Sequence, residues 1–110
     1  MRVKDDRVIL SGIHPLIRQA MKKAERIWIE LGREEGITVT AGLDGVHSAG
    51  SWHYCGCAVD LRTNYWDDAT EAKAAQMLKA QLPGYDIVNH GTHIHVEIGD
   101  ELAKKHGLLV

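Results

Sequence analysis

The segment HIHVEI, residues 93–98, alternates polar and apolar side chains without a break. Successive side chains of a β-strand point to opposite faces of its sheet, so this pattern predicts a strand with one apolar and one polar face. The apolar side chains must face a hydrophobic core, which leaves His93, His95 and Glu97 together on the other face. The chain is therefore expected to fold around a sheet that has one face covered and one face open.

A second segment, CAVDLR at residues 57–62, has the same two-faced character. One face of the predicted strand carries the apolar side chains of Cys57, Val59 and Leu61, and the other carries Asp60 between Ala58 and Arg62. If both strands belong to one sheet, Asp60 emerges on the same open side as His93 and His95.

The loop that enters this second strand contains His53, seven residues before Asp60. A bend at Gly56 can bring His53 over the same part of the sheet. Two histidines and one aspartate that leave an open coordination position are typical of a catalytic zinc rather than of a closed structural zinc. The sequence therefore predicts a metal site on the open face.

The remaining elements follow from periodicity and from helix signals. Apolar residues recur at three-to-four spacing after Pro15, which predicts a helix that ends at Gly32 or Gly36, and a second helix is predicted from about Asp68, a plausible N-cap, to Pro83. Further strands are predicted at residues 37–41 and 85–89. The fold class is α+β: a small, mostly antiparallel sheet with helices packed on one face and the metal site on the open face.

Length and charge limit the possible functions. The 110 residues correspond to one domain, 1–110, with a single core. With 13 basic and 15 acidic residues, the chain has no basic excess of the kind that nucleic acid attracts, so no nucleic-acid partner is expected.

The N-terminal segment MRVKDDRVIL is charged and lacks the apolar core of a signal peptide, and no run approaches the ~20 apolar residues of a membrane span. We therefore expect cytoplasmic synthesis and no transmembrane segment. Cys55 and Cys57 are too close in sequence for an unstrained disulfide, so no oxidising compartment is implied. Cys57 is interpreted as a core residue and Cys55 as a buried thiol, with zinc binding or redox sensitivity as alternatives for Cys55.

A resemblance appears at these residues. SWHYCGCAVD at 51–60, followed by HIH at 93–95, resembles the S-x-H-x-x-G-x-A-x-D plus H-x-H signature of a superfamily of zinc metallopeptidases. That superfamily includes D-alanyl-D-alanine carboxypeptidases, phage endolysins, murein endopeptidases and lysostaphin-type enzymes, and the Hedgehog signalling domain shares its zinc site. VTAGLDGVHSAGSWHYCGCAVDL, residues 39–61, is especially similar to the Hedgehog segment.

The resemblance implies a role for each matching residue. It makes His53, Asp60 and His95 the zinc ligands. It makes His93 the non-ligand histidine that handles protons, and it places His47 near the metal, where it steadies the scissile carbonyl or its oxyanion.

Two departures from the family pattern stand out. Many relatives carry an acidic catalytic base three residues before the last ligand, where this chain has Thr92, so the base must come from elsewhere. The acidic calcium cluster of Hedgehog is also mostly missing, with Ala41 in place of an acid and only Asp44 left. No calcium is therefore predicted.

The expected function is zinc-dependent hydrolysis of an amide bond in the peptide stem or crosslink of bacterial peptidoglycan, by a protein that acts at the cell wall after release. The alternative is a Hedgehog-like zinc domain that binds a partner without turnover. A phosphoesterase is disfavoured because only one histidine pair loosely fits its H-x-T/S pattern. The bond cut, the phage or bacterial origin and the oligomeric state are left open.

Several nearby residues have two interpretations. The aromatic residues flanking the motif either line a substrate groove or pack in the core; they are Trp52, Tyr54, Tyr65 and Trp66. Glu97 either orients a ligand or meets solvent. Ser51 is expected to hydrogen-bond within the ligand loop. The remaining histidines, His14, His90 and His106, are interpreted as surface or hydrogen-bonded residues.

Overall fold

The structure is a computed structural model that describes residues 1–42 and 56–108. Its helices are α1 (Pro15–Glu30), α2 (Asp68–Gln81) and α3 (Asp100–Lys105). Its strands are β1 (Arg2–Val3), β2 (Thr38–Ala41), β3 (Ala58–Arg62), β4 (Tyr85–Asn89) and β5 (His93–Ile98). The α+β class is confirmed, and the four predicted strands and two predicted helices are all present.

The five strands form one sheet in the order β1-β2-β3-β5-β4. All neighbouring strands are antiparallel except β1, which runs parallel to β2, so the sheet is mixed. β1 was not predicted because two residues are too few for an alternation pattern. It exists through pairing: the Arg2 amide donates to the Ile37 carbonyl and the Lys4 amide to the Val39 carbonyl, each at 2.8 Å.

The core lies between the apolar face of the sheet and α1 and α2. Helix α1 begins at Pro15, and His14 caps it by accepting the Leu16 amide on Nδ1 at 3.1 Å. Its buried face consists of Ile17, Ala20, Met21, Ala24, Ile27 and Trp28. These side chains belong to one cluster with inward-facing residues of the central strands, among them Val59, Leu61, Ile94, Val96 and Ile98.

Helix α2 starts where the sequence indicates, but its N-cap is Asp67 rather than Asp68. Helix α3 was not predicted because its six residues contribute a single fully buried side chain, Ala103, which is too little for a periodic signal. Across residues 1–42 and 56–108, no helix has the length and apolarity needed to cross a membrane.

The start of β3 is fixed by Gly56. Its φ of 75° lies in the left-handed region that favours glycine, and a Cβ at this position would lie 2.5 Å from the Gly12 carbonyl oxygen. The Gly56 carbonyl in turn accepts the amide of His14 at 2.8 Å. These contacts attach the entrance of β3 to the start of α1.

The prediction that the cysteines form no disulfide is wrong. Cys57 is fully buried, as expected of a core residue, but it is disulfide-bonded rather than a free thiol. The only other cysteine in the sequence, Cys55, lies outside the described residues. Sequence spacing alone does not include the backbone turn at Gly56, which lies between the two cysteines in the sequence.

Candidate metal centre

Asp60 and His95 are direct partners across the antiparallel pair of β3 and β5. Asp60 Oδ1 and His95 Nδ1 lie 2.7 Å apart, and the two side chains are only 16% and 18% exposed. This contact confirms that Asp60 lies on the same face of the sheet as the histidines of β5. The pairing register produces the contact, because directly opposed side chains in a sheet lie closest to each other.

The Nε2 side of the His95 ring contacts a second carboxyl group. Glu97, two residues further along the same face of β5, places Oε1 3.3 Å from His95 Nε2. The hydrogen bond with Asp60 raises the pKa of His95 above its ordinary value; partial burial of the ring opposes this shift, and the charges of Asp60 and Glu97 add to it. The site therefore favours a cation at the imidazole.

His93 lies on the same face, opposite Arg62 of β3. Its Nδ1 is 3.1 Å from the hydroxyl oxygen of Thr92, the preceding residue. The ring of His90 stacks on that of His93 with centroids 4.8 Å apart, and it meets the His95 ring edge-on at 6.4 Å.

His90 is exposed, in agreement with its interpretation as a surface or hydrogen-bonded residue, but its ring contacts with His93 and His95 were not predicted. Its amide donates to the His93 carbonyl at 2.9 Å in the turn that joins β4 to β5. The missed signal is the three-residue interval between the two predicted strands. An interval this short predicts a hairpin, which returns His90 to the start of β5.

Three of the five predicted site residues, Asp60, His93 and His95, are thus brought together. The other two, His47 and His53, lie outside the described residues, as do Ser51 and Cys55. No group of three histidine, cysteine or acidic side chains arranged to hold a metal ion is found in residues 1–42 and 56–108.

The chemistry of the described pair fits a metal such as zinc. In this structure Nδ1 and Asp60 Oδ1 are joined by a hydrogen bond of 2.7 Å. A metal ion that displaced this proton would bind the Nδ1 lone pair and the Asp60 carboxylate, while Nε2 kept the remaining proton beside Glu97. Imidazole nitrogen and carboxylate oxygen are ordinary zinc ligands.

The acidic surroundings add to this fit. Asp60 and Glu97 contact the His95 ring, and Asp86 of β4 lies directly opposite Glu97 as a third carboxyl group on this part of the sheet. The basic residue Arg62 lies opposite His93, two residues along β3 from Asp60, and so is not the direct partner of His95. The electrostatic environment of His95 is therefore dominated by groups that attract cations.

Two of the flanking aromatic residues pack in the protein rather than form a groove. The indole Nε1 of Trp28, which is fully buried, donates to the Tyr65 hydroxyl at 2.9 Å. The Trp66 ring lies 5.0 Å from that of Trp28, and the guanidinium of Arg33 covers Tyr65 at 3.7 Å. Trp52 and Tyr54 lie outside the described residues.

A cavity of about 440 Å³ lies elsewhere, against α1, with Met1 and Ile37 among its lining residues. It contains none of Asp60, His93 or His95, and its lining has no histidine or cysteine that matches the motif. A concave shape alone does not outweigh convergent chemistry, so the open face of the sheet is the better candidate site.

Comparison with protein-family models finds no model that matches this chain, and comparison with curated proteins finds no match either. The functional argument therefore rests on the arrangement around Asp60 and His95.

Proposed function

We propose that this chain is a zinc-dependent peptidase that hydrolyses an amide bond in the peptide stem or crosslink of bacterial peptidoglycan, with His53, Asp60 and His95 as the zinc ligands. The observation that carries the proposal is the 2.7 Å contact between Asp60 Oδ1 and His95 Nδ1 on an open sheet face. The resemblance of residues 51–60 and 93–95 to peptidoglycan peptidases supplies the substrate class.

The chemistry that zinc supplies when bound at such a site is polarisation of the scissile carbonyl and acidification of a bound water. The chain must provide the proton transfers. His93 is on the correct face, and the contact of its Nδ1 with the Thr92 hydroxyl leaves Nε2 to accept the water proton and deliver it to the leaving amine. The His90 ring, stacked on His93, restricts the orientation of this group.

His47 completes the proposed site as the group that stabilises negative charge on the carbonyl oxygen. Removal of one such donor from a hydrolase commonly costs about 3 kcal/mol of transition-state stabilisation. This assignment depends on the resemblance alone, since His47 lies outside the described residues.

A second function has specific support. Thr92 occupies the position of the family's acidic base, is exposed, and contacts His93 rather than the Asp60–His95 pair. A zinc domain that binds a partner without turnover needs no base there. The two functions differ in turnover, not in zinc binding.

Zinc binding is tested first. The purified chain, Asp60→Asn, His95→Ala and His106→Ala are dialysed against zinc and analysed for bound metal. His106 is an exposed histidine in the last turn after α3, so its variant controls for nonspecific histidine binding. We expect one zinc in the wild type and in His106→Ala, and strongly reduced zinc in the other two. Equal zinc in all four proteins would contradict the ligand assignment.

Turnover is tested on purified crosslinked peptidoglycan, with mass spectrometry of the released fragments. The zinc-loaded wild type is expected to create new amine termini, whose fragment masses identify the bond. His95→Ala should create none, and His93→Ala should keep its zinc but lose roughly 10²–10⁴-fold in rate, the usual contribution of a general acid–base group. A wild type that binds zinc yet leaves the wall intact would favour the partner-binding domain. Near-normal turnover by His93→Ala would remove His93 from the mechanism.

A further inference from the structure

We infer that Glu97 is a positioning residue for the metal ligand His95. Its carboxylate accepts the Nε2 proton of the imidazole and thereby favours the tautomer in which the Nδ1 lone pair is available to a metal ion beside Asp60. The inference rests on the metal site of the proposed function and adds to it a residue that the sequence motif does not contain.

The contact follows from the strand. Glu97 is two residues after His95 in β5, so both side chains lie on the same face, and the Nε2–Oε1 distance is 3.3 Å. Both side chains are partly buried, at 18% and 20% exposure, which limits the competition of water for the carboxylate.

The cross-strand neighbours of Glu97 offer no competing donor side chain. On the β3 side its partner is Ala58, which is fully buried and has no polar side-chain atom. On the β4 side its partner is Asp86, another carboxyl group. The His95 ring is therefore the nearest source of a proton among the side chains that the sheet places beside Glu97.

This contact favours one tautomer. A neutral imidazole carries one N–H, and an ionised carboxylate can only accept a hydrogen bond. Glu97 beside Nε2 favours the proton on that nitrogen, whereas Asp60, 2.7 Å from Nδ1, favours it on Nδ1. A metal ion needs the Nδ1 lone pair, so Glu97 supports the metal-binding tautomer by accepting the proton on Nε2. Without Glu97, no carboxylate at Nε2 opposes the Asp60 hydrogen bond, and a proton on Nδ1 blocks the nitrogen that a metal needs.

Glu97 and the proposed metal ion would use different nitrogens of the His95 ring. Nδ1 and Nε2 point away from each other across the imidazole ring, and Asp60 and Glu97 contact different nitrogens. An ion held by Asp60 and Nδ1 thus lies on the opposite side of the ring from the Glu97 contact. Partners of this kind commonly change metal affinity by about 10–100-fold when they are removed.

The test compares Glu97→Ala, Glu97→Gln and Asp86→Ala with the wild-type chain. Asp86→Ala is the matched control because it removes a carboxylate directly opposite Glu97 without touching the proposed contact. Zinc dissociation constants come from competition with a chromophoric chelator. The His95 tautomer comes from ¹⁵N chemical shifts of the zinc-free proteins, recorded at a pH high enough for a neutral ring.

Glu97→Ala should weaken zinc binding by about 10–100-fold, and Glu97→Gln, which keeps an acceptor oxygen, should recover most of the loss. Asp86→Ala should have a much smaller effect. The fraction of His95 in the Nε2–H tautomer should be larger in the zinc-free wild type than in zinc-free Glu97→Ala.

Equal effects of Glu97→Ala and Asp86→Ala on zinc affinity would overturn the inference, because Glu97 would then act only through its negative charge and not through its contact with His95. An unchanged tautomer in Glu97→Ala would overturn it as well. If the wild type binds no zinc, the proposed function fails on that result alone, whereas the tautomer measurement still decides whether Glu97 positions His95.

Discussion

Thr63 and Glu71 form a hydrogen bond inside the protein. The Thr63 hydroxyl donates to Glu71 Oε2 at 2.6 Å, and the two residues are 0% and 6% exposed. The bond connects the residue after β3 to the first turn of α2. A buried polar group is tolerated only when it is paired, so each side chain depends on the other.

Thr63→Val should therefore destabilise the protein although it conserves volume, because it leaves the buried Glu71 carboxyl without its donor. We expect the free energy of unfolding to fall by about 1–3 kcal/mol, measured by urea denaturation. Thr63→Ser keeps the hydroxyl and should lose less. A Thr63→Val protein as stable as Thr63→Ser would show that the hydrogen bond contributes little.

Residue-level prediction succeeded where two-residue alternation decides the outcome. The shared face of Asp60, His93 and His95 was predicted because each residue's side of the sheet depends only on its place in its own strand. The Thr63–Glu71 bond and the position of His90 beside His93 were not predicted. Both require the direction in which one element returns to another, which local pattern does not contain.

Helix α2 begins at a titratable cap. Asp67 Oδ1 accepts the Thr70 amide at 2.8 Å, and hydrogen bonding to Thr70, first through its side chain and then through its amide, lowers the pKa of Asp67 below its ordinary value. Because the pKa is lower in the folded than in the unfolded chain, the stabilisation is complete above roughly pH 4. It is lost as the pH falls through the lowered pKa.

Asp67→Ala should accordingly lower the melting temperature at pH 7, and the difference from wild type should narrow as the pH falls below about 4. Thermal melts followed by circular dichroism over a pH series measure this. Asp68→Ala, which removes a first-turn carboxylate but not the cap, is the control. A difference for Asp67→Ala that stays constant across the series would show that the ionised cap is not the cause.

At the scale of elements, length separates what was predicted from what was not. Helices α1 and α2 and strands β2 to β5 were placed to within a residue or two, since each has enough residues to show a period or an end signal. β1 and α3, with two and six residues, have no such signal. Strand β1 forms because β2 provides backbone hydrogen-bond partners, and helix α3 packs on the protein through the buried side chain of Ala103.

The whole molecule has a core that does not depend on the metal. Its buried cluster is continuous between α1, α2 and the covered face of the sheet, whereas the candidate ligands Asp60 and His95 lie on the other face. Zinc bound at the proposed site would therefore add to the stability that this core supplies.

Removal of zinc by a chelator should lower the melting temperature without unfolding the protein. The expected stabilisation by bound zinc is about 4 kcal/mol when free zinc exceeds its dissociation constant a thousandfold. Calorimetry with and without chelator measures the shift, and His95→Ala should show none. Loss of cooperative melting on chelation would instead identify a structural zinc on which folding depends.

The sequence by itself determined the elements that are long enough to be periodic and the face on which each strand residue lies, because both depend on local backbone geometry. The tertiary structure decided which strands are neighbours and in what register, and hence that Asp60 faces His95 at 2.7 Å with Glu97 on the far side of the ring. Strand order and register depend on packing between residues distant in sequence, and a shift of one residue would have exchanged the two faces of the sheet.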